Sequence, residues 1–66
     1  MKYAIKNETT GKVYSDTRVH PDGSGMEYVW VEENNSMAGE FARKDAAEEI
    51  AKEMRLNGVR ALVVRT

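Results

Sequence analysis

His20, Asp22 and Ser24 fall at alternate positions in the segment His20-Pro21-Asp22-Gly23-Ser24-Gly25, and His20 is the only histidine of the chain. Acid–base chemistry would need Asp22 to orient His20 and His20 to reach Ser24. A run holding Pro21 and an Asp-Gly pair suits chain reversal better than a rigid constellation, because Pro lacks an N–H and Asp-Gly favours turns. A surface-turn histidine is expected, and no enzymatic activity. Metal binding finds equally little: with no cysteine and one histidine only carboxylates remain, and Asp16, Asp22 and Glu27 do not follow calcium-loop spacing. Neither a metal nor a cofactor is expected. Gly23-Ser24-Gly25 could turn backbone N–H groups toward a phosphate, but a strand follows it, so the helix dipole of a phosphate loop is missing. Asn7-Glu8-Thr9 and Asn34-Asn35-Ser36 match the glycosylation acceptor pattern. No secretory signal is read at the start of the chain, so they carry no expected role.

A different chemistry lies in Met26, Tyr28 and Trp30. Alternation along a strand places all three on one face, roughly 7 Å apart, with Tyr14 available to extend the stripe across the sheet. If a helix covers that face, the stripe is core. If the helix covers Val29 and Val31 instead, Met26, Tyr28, Trp30 and Tyr14 form an exposed apolar surface for binding or self-association. Glu32 and Glu33 follow directly and would complement a basic partner. Sheet aromatics bordered by Lys12, Arg18, Arg60 or Arg65 would also suit stacked bases of a single strand. A net charge of −1 and the absence of the aromatic-glycine pattern of RNA-binding sheets count against nucleic acid.

The elements that must position these residues are read from periodicity. Lys2–Asn7 alternates as a half-buried strand, with Tyr3 and Ile5 on one side. Glu8-Thr9-Thr10-Gly11 turns the chain into a second strand, Lys12–Val19, where simple alternation groups Val13, Ser15, Thr17 and Val19 against Lys12, Tyr14, Asp16 and Arg18. Met26–Glu32 is apolar on both faces and is expected to be covered on both. Met37–Ala42 reads as a short additional strand ending in Phe41, weakened by Gly39. From Lys44 to Asn57, the residues Ala46, Ala47, Ile50, Ala51 and Met54 recur at helical spacing, with Glu48 and Lys52 set for an i,i+4 pair on the outer side. Gly58 ends the helix in the left-handed conformation. Val59–Arg65 is a final strand, with Leu62 and Val64 facing away from Ala61 and Val63.

The order β-β-β-(β)-α-β defines an α+β domain: an antiparallel sheet of four or five strands with one helix packed on one face, spanning residues 1–66 as a single domain. A domain this small hides only about 60% of the surface of its unfolded chain, so a second copy is an attractive source of buried area and a homodimer is expected. No stretch reaches the ~20 apolar residues of a membrane span, and a cytoplasmic location is expected. Charge is segregated: residues 27–51 hold seven carboxylates against Arg43 and Lys44, whereas residues 52–66 hold Lys52, Arg55, Arg60 and Arg65 against Glu53.

The run Gly39-Glu40-Phe41-Ala42-Arg43-Lys44-Asp45-Ala46-Ala47-Glu48-Glu49-Ile50-Ala51-Lys52, preceded by hairpin strands and followed by Gly58 and a last strand, resembles the small hairpin-plus-helix proteins common in bacteriophages and other mobile elements. Arg43 departs from that pattern, standing where a Ser or Thr helix cap is usual. The resemblance carries no catalytic residues. It implies a protein that binds and blocks a host macromolecule or sequesters a small ligand. The expected function is therefore non-enzymatic binding of a host protein through Met26, Tyr28, Trp30 and Tyr14, with Glu32 and Glu33 adding charge; the alternatives are a single-stranded nucleic-acid binder and a small-ligand or nucleotide-binding protein.

Overall fold

The tight reversal at Gly11 sets the first pairing, and the computed structural model, which describes residues 1–66, builds the sheet outward from it. Strands β1 (Tyr3–Asn7), β2 (Val13–Val19), β3 (Met26–Val31) and β4 (Ala61–Arg65) form one antiparallel sheet in the order β3-β2-β1-β4, and helix α1 (Lys44–Leu56) packs on one side of it. The fold is α+β. The helix lies over β1 and β4, with its backbone away from β2 and β3.

Ala47, Ala51 and Met54 are the buried residues of α1, and Ile50 joins them as a half-buried neighbour. Small alanines allow the helix axis to approach Ile5 and Ala61, and Ile5 and Met54 are fully enclosed. Full burial of a side chain of this size contributes about 1.5–3 kcal/mol. Ala46, read from the sequence as part of this stripe, is exposed. The helix stops one residue before Asn57, which is its C-cap. Gly58 at φ +84° follows, its N–H donating to the Arg55 carbonyl at 3.1 Å, while Val59 N–H donates to the Met54 carbonyl at 2.9 Å. This paired closure is the Schellman motif, and it delivers Val59 back onto the core. At the other end Arg43 is an extended N-cap without a side-chain capping bond. Its guanidinium instead grips Asp45 in the first turn (Nε to Oδ1 3.1 Å), where a carboxylate favours the helix dipole. Glu48 turns to Arg55 at 3.9 Å and not to Lys52.

Two irregularities shape the sheet. The β2–β3 ladder shifts register between Tyr14 and Asp16, a bulge at Ser15. An extra residue inverts the alternation beyond it. Val13 therefore shares the far side with Asp16 and Arg18, while Tyr14, Thr17 and Val19 face the helix side, correcting the grouping that strict alternation gives. Second, β1 and β2 pair only at Lys6 and Val13 and then diverge. The segment leading to α1 fills the gap. Gly39 N–H donates to the Tyr14 carbonyl at 2.8 Å, Ser15 Oγ donates to the Met37 carbonyl at 2.6 Å, and Phe41 and Tyr3 exchange two backbone bonds at 2.8 Å. Met37–Ala42 is thus a wedge with one isolated bridge at Phe41 rather than a full strand.

Candidate binding face

On the helix side, β3 projects Met26, Tyr28 and Trp30 beside Val19, Thr17 and Tyr14 of β2, as the registers Val19–Met26, Thr17–Tyr28 and Tyr14–Trp30 require. The helix and the stripe therefore share one face. Because α1 lies over β1 and β4, this half of the face is covered by its own rings and not by the helix. Tyr14 is the hub: its ring meets Tyr28 edge-on at 6.3 Å, Trp30 edge-on at 6.2 Å, and stacks on Phe41 at 6.2 Å. Tyr28 and Trp30 also meet edge-on at 6.4 Å. Such contacts add about 0.5–1.5 kcal/mol each beyond area burial.

Exposure falls steeply from the hairpin tip inward. Val19 is 70% and Met26 51% exposed, Tyr28 and Trp30 are half-buried, and Tyr14 is only 9% exposed. The Tyr14 hydroxyl shares a 2.7 Å hydrogen bond with Thr17 Oγ1, so its polar end is satisfied inside the cluster. Asn57 Nδ2 donates to the Tyr28 hydroxyl at 3.3 Å, tying β3 to the end of α1. Between them lies an open groove of about 490 Å³ lined by Met26, Glu27, Tyr28, Asn57 and Val59.

Glu33 does not join this face. Glu33 pairs with Lys6 at 4.0 Å beside a hollow of about 390 Å³ on the far side of the sheet, whereas Glu32, which follows β3, pairs with Lys12 at 3.9 Å outside that hollow. Ala4, Val13 and Val64 floor that hollow, and Asn34, Asn35 and Ser36 rim it. Arg18 is likewise committed, to Glu27 at 3.8 Å.

In the turn, the Asp22 carboxylate accepts from Ser24 N–H at 3.0 Å and makes no hydrogen bond to His20. Hydrogen bonds from the Ser24 side chain and backbone hold the Asp22 carboxyl below its ordinary value of 3.8. No three His, Cys, Asp or Glu side chains gather closely enough to hold a metal ion. No helix is long and apolar enough to cross a membrane.

Phe41 as the stacking partner of Tyr14 was missed by sequence reasoning; its place just before the helix was the available signal. Comparison with protein-family models, curated proteins and solved structures returned no match.

Proposed function

We propose that this is a non-enzymatic binding protein that docks onto and blocks a host macromolecule, in the manner of small phage accessory and inhibitor proteins, through the β2–β3 half of its helix-side face. One observation carries the reading: the helix stops short of this half, leaving Val19 and Met26 as exposed cross-strand neighbours continuous with the half-buried rings of Tyr28 and Trp30. Aromatic and methionine side chains next to an apolar tip are the composition of interface centres. Tyr14 supports the face from beneath, Glu32 stands at its end paired with Lys12, and Glu33 lies beside the hollow on the other side. A protein fits better than a nucleic acid, because Lys12 and Arg18 are paired with carboxylates and the rings are engaged edge-on with one another. The partner is a protein of the cytoplasm, and a homodimer formed through the same face is the other occupancy.

The test is a photo-crosslinking residue placed at Val19, with Met26→Ser as the control variant. Recovery of one defined partner, lost in Met26→Ser while circular dichroism is unchanged, supports the reading. Concentration-dependent crosslinking of purified chain identifies the homodimer instead. No crosslink of either kind defeats the proposal.

The hollow beneath residues 33–40 supports a second reading, a small polar ligand held between Lys6, Glu33 and the Asn-Asn-Ser rim. A thermal shift with a metabolite panel, abolished by Lys6→Ala, checks it.

A further inference from the structure

Strand β4 is an outer strand, with β1 on one side and no strand on the other. Glu8 N–H donates to the Arg60 carbonyl and Thr66 N–H to the Lys2 carbonyl, with Lys6–Leu62 and Ala4–Val64 registered between them. Antiparallel alternation then turns the backbone of Leu62 and Val64 inward and that of Ala61, Val63 and Arg65 outward. Ala61 is already closed: its N–H donates to the Val59 carbonyl at 3.0 Å and its carbonyl accepts from Arg55 Nε at 2.9 Å. At Val63 and Arg65 the outward N–H and C=O groups stay open, next to Leu62, which is 44% exposed.

The charges around this edge are distinctive. The six ion pairs of the chain engage Lys2, Lys6, Lys12, Arg18, Arg43 and Arg55. The cations left without a carboxylate are Lys44, Lys52, Arg60 and Arg65. Arg60 and Arg65 bracket β4 and Lys44 shares a shallow recess with Val63 and Arg65, whereas Lys52 lies on the outer side of α1 among Asp45, Glu48 and Glu49. Three of these four cations, Arg60, Arg65 and Lys44, therefore stand at the open sheet edge.

We propose that the β4 edge accepts an acidic extended segment of a partner protein by strand addition, opposite Val63–Arg65, with the segment's carboxylates meeting Arg60, Arg65 and Lys44. Main-chain bonds supply the attachment and the rim cations select for acidic flanks. A nucleic-acid strand would use the cations but leave the open N–H and C=O groups without partners. Two β4 edges of the same chain would set their arginines against each other, and the β3 edge has Glu27 already taken by Arg18. This surface is separate from the hairpin face and does not depend on it.

The test is titration of the ¹⁵N-labelled chain with the peptide acetyl-Glu-Thr-Val-Thr-Val-Glu-amide and with its counterpart carrying Lys for Glu. The acidic peptide is expected to shift the amides of Val63 and Arg65 while leaving those of Met26, Tyr28 and Trp30 in place, and to weaken as salt is raised. The Lys peptide and the double variant Arg60→Glu/Arg65→Glu are each expected to bind about tenfold more weakly. Arg65→Pro removes an outward N–H without breaking a ladder bond, and is expected to weaken binding with the remaining spectrum unchanged. The proposal is overturned by silence at Val63 and Arg65 at millimolar peptide, by equal binding of the Lys peptide, by shifts centred on β3, or by tighter binding of a thymidine oligonucleotide to the same amides. Self-association through β4 would overturn it as well.

Discussion

Gly39 donates its N–H to the Tyr14 carbonyl at 2.8 Å, and through this bond the segment between β3 and α1 enters the gap between β1 and β2. The contact leaves no room for a side chain: a Cβ on Gly39 would lie 3.0 Å from the Tyr14 carbonyl oxygen and 3.1 Å from that of Ser15. Both obstacles are backbone, so neither can swing aside.

Gly39→Ala is therefore expected to destabilise the domain by about 1–3 kcal/mol. Urea denaturation followed by Trp30 fluorescence measures this. A stability within experimental error of the parent would mean that the wedge is loosely held.

Met54 is fully enclosed between the helix and the sheet. Met54→Ala should cost about 2–5 kcal/mol, a large share of the total stability of so small a domain. The expected result is a chain largely unfolded at 37 °C, read by circular dichroism; Met54→Leu, which preserves volume, should remain folded.

The Tyr14–Thr17 hydrogen bond spans the bulge and fixes the hub of the aromatic cluster. Tyr14→Phe and Thr17→Val are each expected to cost about 0.5–1.5 kcal/mol, and the double variant less than the sum. Strict additivity in the double-mutant cycle would show that the two hydroxyls do not interact.

Asp22 titrates below its ordinary value because Ser24 donates hydrogen bonds to the charged carboxylate. With the folded pKa depressed, the stabilisation of the turn is present above the ordinary pKa and is lost as pH falls through the folded one. In Ser24→Ala the midpoint, followed by the carboxyl carbon resonance, should rise toward 3.8. An unmoved midpoint would exclude the side chain as the cause.

The helix, its closure at Gly58 and the strand alternation of β1, β3 and β4 were legible in the chain, because each rests on local periodicity or on a single residue's backbone preference. Tyr28 and Trp30 were likewise placed on one face by alternation alone. The grouping of β2 residues was not legible: one extra residue at Ser15 reverses every side chain beyond it, and nothing in Val-Tyr-Ser-Asp-Thr marks the bulge.

The amino-acid sequence by itself determined the element types, the apolar stripe of α1 and the residues of the aromatic stripe, since these follow from spacing within a dozen neighbouring positions. Only the tertiary structure decided that α1 sits over β1 and β4 on the aromatic side, that Gly39 and Phe41 wedge open the first hairpin, and that Lys44 of α1 comes beside Val63 and Arg65 at the β4 edge. These are relations between segments far apart in the chain, set by which surfaces bury most area together and by which backbone groups remain to be satisfied, and no local pattern encodes them.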